Sequence, residues 1–290
     1  MADGNAPPHA LSRLMGELRP GLHRYCARMV GSAFEGEDVV QEALAKALEA
    51  WPAAGVVERP ESWLYRIAHN AALDVLRRRK RQAALQARLE PGEPPAAADR
   101  RVAAAASLAT LLCLPAAQRS CVVLIDVLGH SLAEATEILD VSLPAAKAAL
   151  HRGRSRLRTI AETPDGPASG LAPEDRARLV AYADRFNARD FDALRALLAE
   201  DVRLDLANRT RLAGRKEVSD YFTRYSQVED WRVAPGLAEG RPALLVSDPA
   251  DPDGAVLWVV LLDWAGARIA AIRDFRYARY VTENLAVVRL

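Results

Sequence analysis

Trp63-Leu64-Tyr65-Arg66-Ile67-Ala68-His69-Asn70, followed six residues later by Arg77-Arg78-Arg79-Lys80-Arg81, is the stretch on which the reading of this chain turns. Trp63, Leu64, Ile67, Ala71, Val75 and Leu76 fall near one helical stripe, which leaves Tyr65, Arg66, His69, Asn70 and Asp74 to project on other faces. An aromatic ring, an amide and a guanidinium displayed together suit single-stranded bases, because rings stack on bases and an amide both donates to and accepts from a base edge. Five consecutive cations then supply charge enough to neutralise several phosphates. The blander reading puts Trp63 and Tyr65 in a core and lets the basic run favourably end a helix.

Upstream, Glu37 to Trp51 is a second helix. Val40, Ala43, Leu44, Ala47, Leu48 and Trp51 recur at steps of three and four, and Asp38, Gln41, Glu42, Lys46 and Glu49 line the other side. That acidic face suits a basic helix on a partner protein, although a charged outer face is also what most surface helices carry.

Downstream, Leu114-Pro115 opens a helix with an apolar face of Cys121, Val122, Leu124, Ile125 and Leu128, and Gly129 ends it. Ser131 with Glu134 reads as a capping box for a short helix through Leu139. Asp140-Val141-Ser142 is the turn, and the helix from Leu143 to about Arg158 carries Lys147, His151, Arg152, Arg154, Arg156 and Arg158. A short helix, a tight turn and a basic helix make a helix-turn-helix.

Asp38-Val39-Val40-Gln41-Glu42-Ala43, the Trp63–Asn70 helix and the basic run resemble region 2 of the sigma-70 initiation factors, specifically the extracytoplasmic-function (ECF) group; Leu114 to Arg158 resembles region 4. The resemblance implies two partners, core RNA polymerase (clamp helices of the largest subunit, and the flap) and promoter DNA. It assigns Asp38, Gln41 and Glu42 to core binding. Asn70 would hold a flipped non-template base of the minus-10 element, with Tyr65, Arg66 and His69 around the strand and Arg77, Arg78, Arg79, Lys80 and Arg81 near phosphates. Lys147, Ala148 and His151 would face the minus-35 element, with Arg152 and Arg154 on phosphates. The sequence departs from the group's pattern at the loop Pro52 to Pro60 and at Lys147-Ala148-Ala149.

Beyond Thr163-Pro-Asp-Gly-Pro-Ala-Ser-Gly170 the pattern turns from helical to mixed. Two helices, Pro173–Arg189 and Phe191–Ala199, precede a strand at Asp201–Leu206, a helix at Arg215–Tyr225, and strands near 231–234, 243–247, 255–264 and 268–277. Helices followed by a curved antiparallel sheet, with opening residues Tyr182, Phe186, Asp190, Phe191 and Leu194 to Leu198, resemble the SnoaL-like or nuclear-transport-factor-2-like superfamily. That resemblance implies a regulator acting in cis. The expected fold class is therefore multidomain: two all-α domains and an α+β cone. The expected division is a disordered start at 1–10, region 2 at 11–81, a linker at 82–106, region 4 at 107–160, a linker at 161–173, the SnoaL-like domain at 174–282 and a tail at 283–290.

The same superfamily includes cyclases, isomerases and hydrolases, so Asp205, Asp263 and Asp274 are weighed as acid/base groups. All five histidines lie earlier in the chain, and a non-enzymatic reading is preferred. Tyr221, Trp231 and Trp258 are candidates to line a pocket for an unidentified small ligand, with core packing as the plainer role. The other function class is a helix-turn-helix regulator independent of polymerase. A net charge of +1 hides strong clustering of cations, and distribution matters more than the sum. Three cysteines without metal-ligand spacing argue against a disulfide framework. No cofactor or metal motif, signal peptide or membrane-length apolar run is present, so a cytoplasmic protein without cofactors is expected.

Overall fold

The computed structural model describes residues 8–54, 57–89, 108, 110–161, 171–251 and 253–290, in two compact units, Met1–Gly166 and Pro167–Leu290. Most of the start at 1–10, most of the linker at 82–106 and the junction 163–170 lie outside the described residues, as do two residues of the Pro52–Pro60 loop.

In the first unit, α1 (Pro8–Val30), α2 (Ala33–Ala50) and α3 (Pro60–Leu89) form a bundle. Gly31, at φ +83°, makes the tight turn from α1 to α2. Ser32 caps α2 by accepting from the Glu35 backbone N–H. At Gly36 a Cβ would lie 2.6 Å from the Ala27 backbone, so the crossing of α1 and α2 requires glycine there. Val40, Ala43, Leu44, Ala47 and Trp51 are buried as the periodicity predicts, but Leu48 is exposed. Glu37 is fully buried and held by the Arg19 guanidinium of α1. Helix α3 continues to Leu89, eight residues into the expected linker. The alanine-rich run Gln82–Leu89 sustains a helix because alanine has the best intrinsic propensity.

The second half of this unit comprises α4 (Ala116–Val122), extended by a π turn over Val123–Val127, then α5 (Leu132–Leu139) and α6 (Leu143–Ala161). The capping box at Ser131 and Glu134 is formed in both directions. Asp140 adopts φ 53° in the left-handed region, and Ser142 accepts from the Ala145 N–H at the start of α6. The helix-turn-helix is thus present as read. It packs directly on the bundle: Leu111, Leu114, Val122, Val123, Leu124, Ala135 and Ile138 share one apolar core with α1–α3.

In the second unit α7 (Pro173–Asn187) and α8 (Phe191–Ala196) precede β1 (Leu198–Leu206), β2 (Thr210–Ala213), α9 (Arg215–Ser226), β3 (Arg232–Ala238), β4 (Arg241–Ser247), β5 (Trp258–Ala265), β6 (Arg268–Asp274) and β7 (Val287–Arg289). Leu179, Tyr182, Ala183 and Phe186 of α7 are all buried, as expected. The sheet order is β2-β1-β6-β5-β4-β3-β7. Three features depart from the sequence reading. The β1–β6 pair is parallel, so the sheet is mixed. Strand β1 starts at Leu198 inside the expected second helix, and β2 was unread. The expected tail holds β7, which pairs antiparallel with β3. A three-residue strand carries too little periodicity to be read alone.

Candidate nucleic-acid and partner interfaces

On α2, Asp38 is exposed and Gln41 and Glu42 are half-buried. Gln41 donates to Glu37 at 3.4 Å. Glu42 accepts from Lys46 at 2.7 Å and from Arg78 of α3 at 3.4 Å, and the Lys46 hydrogen bond holds its carboxyl below the usual range. The acidic face is therefore already partly neutralised by the basic run of the neighbouring helix.

Five consecutive helical residues at 100° per step sweep every face, and the five cations divide accordingly. Arg77 pairs with Asp74 at 3.1 Å and Arg78 with Glu42. Arg79, half-buried, donates to the Val30 carbonyl at 2.6 Å and pairs with Glu35, closing the C-terminal end of α1 instead of facing outward. Lys80 and Arg81 are exposed.

Arg66 and Asn70 project from α3 into solvent, one turn apart, as read from the sequence. Tyr65 and His69 do not. Tyr65 is 4% and His69 8% exposed. The Tyr25 hydroxyl and His69 Nδ1 share a hydrogen bond at 2.7 Å, and Tyr65 packs edge-on against Tyr25 at 6.1 Å. The expectation that all four residues stand exposed fails because α3 has neighbours on two sides, α1 on one and the helix-turn-helix on the other. His130, just before α5, meets the Tyr65 ring at 4.7 Å and 79°. Burial holds the His69 imidazole near pKa about 4 and pushes the Tyr65 phenol up to about 12.

Three contacts that sequence reading missed fasten this closed arrangement. Arg59, ahead of α3, reaches Glu137 of α5 with both carboxylate oxygens at 2.6 Å. The Arg119 guanidinium of α4 is buried and donates to the carbonyls of Met29, Leu112 and Leu114. The Leu112 side chain lies against Gly31, where a Cβ would clash with it. Partners 78 and 90 residues apart leave no local pattern to read.

On the basic helix α6, Lys147, His151 and Arg152 are exposed and Ala148 is half-buried. Lys147, Leu150, His151, Arg154 and Arg158 line one shallow groove. Arg154 also forms a forked pair with Asp126 at 3.0 and 2.5 Å, so its guanidinium is shared with α6's scaffold.

In the second unit Tyr221 lines a cavity of about 210 Å³, but Trp231 and Trp258 do not. Trp231 packs edge-to-face among Phe186, Phe191 and Tyr225, and Trp258 lies fully buried beneath Arg276 and Arg279. Of the three aspartates, Asp205 pairs with Arg211 and Arg273 and Asp263 with Arg241, both outside the cavity; Asp274 lies in its wall. Among the described residues no cluster of three or more His, Cys, Asp or Glu is placed to hold a metal, and no helix is long and apolar enough to cross a membrane.

Comparison with known families matches sigma-70 region 2 at residues 14–82, sigma-70 region 4 at 107–157 and a SnoaL-like domain at 179–274. The ECF RNA polymerase sigma factor SigG of Mycobacterium tuberculosis is 25% identical across 89% of this chain and 78% of its own length. SigW of Bacillus subtilis is 32% identical across 47% of this chain and 81% of its own. Among solved structures, the extracytoplasmic function sigma factor SigJ of Mycobacterium tuberculosis aligns with 91% of this chain and 95% of that one, at 21% identity and TM-score 0.36.

His69 gives the helical unit a defined acid response. Its folded pKa lies below the unfolded value, so the unfolded chain takes up the proton first; the contribution is complete above about pH 6.5 and is lost as pH falls toward 4. Denaturant titrations of wild type and His69→Gln from pH 7 to pH 4 should show wild type losing about 3 kcal/mol relative to the variant. Parallel pH curves would mean that the His69 imidazole titrates in the fold as it does in the unfolded chain, and would reject the buried, neutral His69.

Closure predicts a second response. Glu137→Arg, which sets two cations face to face, should speed nitration of Tyr65 by tetranitromethane roughly two- to fivefold, read by mass spectrometry. Arg59→Glu in the same chain should return the rate to the wild-type value. Equal rates in all three proteins would show that the Arg59–Glu137 pair does not hold the closed form.

Proposed function

The chain belongs to the ECF RNA polymerase sigma factors, with a SnoaL-like domain fused at its C-terminal side, and on that footing we propose how its residues divide the work of promoter-specific transcription initiation. The carrying observation is the succession on one chain of a region 2 bundle and a region 4 helix-turn-helix, together with 32% identity to a sigma factor of which the match covers 81%.

Asp38, Gln41 and Glu42 of α2 dock on the clamp helices of core polymerase, and region 4 reaches the flap. Arg66 and Asn70 stand ready for the unpaired minus-10 strand, with Lys80 and Arg81 supplying phosphate contacts. Tyr65 joins them once region 4 has swung away, because its ring is covered by His130 in the closed unit. His69 then acts from behind, holding Tyr25 and the α1–α3 packing. Lys147, Ala148, His151 and Arg152 meet the minus-35 duplex in the major groove. Arg154 exchanges Asp126 for a backbone phosphate, one anion for another, so little electrostatic energy separates the two states.

The C-terminal unit modulates this activity in cis. A tether gives it an effective concentration on the order of millimolar, so that even weak contacts matter. The function is not enzymatic in this reading. Asp205 and Asp263 are spent on arginines, and Asp274 accepts from three donors, which supports a binding role over proton transfer.

The test is association with core RNA polymerase by co-migration on size exclusion. Wild type should bind, and the Asp38→Ala, Gln41→Ala, Glu42→Ala variant should lose at least tenfold in affinity. A chain ending at Ile160 should differ from the full chain in promoter-dependent transcription. Binding unaffected by the triple substitution would reject the assigned docking face, and equal transcription by the two chain lengths would reject control in cis.

A further inference from the structure

The cavity of the C-terminal unit is lined by the apolar groups of Leu206, Val228 and Tyr277 together with Tyr221, Tyr225, Arg224, Gln227, Asp274 and Arg276. Tyr221 and Tyr225 sit four residues apart on α9, so both hydroxyls point the same way. Both donate to one oxygen of Asp274, at 3.0 and 2.7 Å, and the other oxygen accepts the Arg276 backbone N–H at 2.8 Å. Asp274 is fully buried, and desolvation raises its pKa. Its lone pairs are turned inward, toward the tyrosines and the main chain, so the negative charge in the wall is already engaged.

The cations in the wall are engaged only in part. Arg276 donates from Nη2 to Asp230 at 3.0 and 2.7 Å and lies over the Tyr225 and Trp258 rings at 5.4 and 4.9 Å. Its Nη1 is buried and makes no hydrogen bond of good geometry, the Tyr225 hydroxyl being near enough only for a weaker polar contact. A buried guanidinium N–H without a well-placed acceptor is costly, and it is the kind of group a ligand oxygen satisfies. Arg224, exposed at the rim, adds a second cation. The same cavity also has the apolar surfaces of Leu206, Val228 and the Tyr277 ring in its lining.

We infer that this cavity is a binding site for a small organic carboxylate with a compact apolar or aromatic body, its carboxylate facing Arg276 and Arg224 and its body facing Leu206, Val228 and Tyr277. Size limits the class. About 210 Å³ is below the roughly 300–1,000 Å³ of sites for drug-sized ligands and admits roughly seven to ten non-hydrogen atoms. The charge selects an acid over its amide, because a planar guanidinium matches a carboxylate in both geometry and sign. The inference concerns the C-terminal unit alone and stands whether or not that unit modulates transcription.

Isothermal titration of the full chain with benzoate and phenylacetate, and with benzamide and phenylacetamide as neutral counterparts, tests it. At least one of the two acids should bind one per chain with a dissociation constant in the micromolar to millimolar range, and its amide at least tenfold more weakly. Arg276→Gln should abolish the preference for the acid. Because Arg276 also braces Asp230, Arg224→Gln is the companion variant; on an exposed position of α9 it should keep the fold and weaken the acid severalfold while leaving the amide unchanged. Absence of saturable binding by both acids, equal binding of acid and amide, or wild-type acid affinity in the Arg224→Gln chain would each overturn the assignment.

Discussion

The Arg119 guanidinium lies buried where region 4 meets region 2 and donates to three main-chain carbonyls, those of Met29, Leu112 and Leu114. Burying a guanidinium is unfavourable unless its donors are satisfied; here the carbonyls satisfy both terminal nitrogens, the buried Nε has no partner, and desolvation lowers the pKa. One of those carbonyls belongs to α1 and the other two to the segment leading into α4. A single side chain therefore couples the end of the first helix of one region to the entry of the other. The shared apolar core, the covered Tyr65 and the Arg59–Glu137 pair all presuppose this alignment. Desolvating it again on closure is possible only when all three acceptors return together, which makes the arrangement selective for one register of region 4 on region 2.

Charge organises the remainder of the helical unit. Glu37 is fully buried against Arg19, Glu35 meets Arg79, and Glu42 meets Arg78 and Lys46, so the acidic helix and the basic run are threaded through one another. Such pairs contribute little at exposed positions and much more where one member is buried. The surface that is left, with Arg66, Asn70, Lys80 and Arg81, is narrower than a simple count of charged residues in the sequence implies.

Much of this was legible from residues alone, where the signal was local. The capping box at Ser131 and Glu134, the buried stripe of α2 and the four core positions of α7 follow from spacing and side-chain chemistry. What stayed hidden depends on partners far away in the chain. Tyr65 and His69 sit off the main apolar stripe and are buried against Tyr25 of α1, 40 and 44 residues away, with His130 of region 4 added over the Tyr65 ring. Leu48 lies at the edge of the apolar stripe and is exposed although Leu44, Ala47 and Trp51 around it are buried. In the C-terminal unit Tyr221 was recognised, whereas Trp231 and Trp258 proved to be core; the Tyr221–Tyr225 spacing was the available sign of a shared acceptor, but Asp274 lies 49 residues from Tyr225. The parallel β1–β6 pair and β7 likewise required the sheet itself.

If region 4 must swing away for recognition, as proposed above, its closure over region 2 also sets how strongly the chain is felt by its partners. A ligand that recognises only the open form sees its affinity divided by the fraction of molecules that are open. If about one molecule in a hundred is open, every contact on α3 and α6 can be intact and the apparent affinity is still about a hundredfold weaker. A change of about 1.4 kcal/mol in the closing contacts moves that population tenfold and alters no residue that touches polymerase or DNA. Selection can therefore tune the response of this protein at Arg59, Leu112, Arg119, His130 and Glu137 while its recognition surfaces stay fixed.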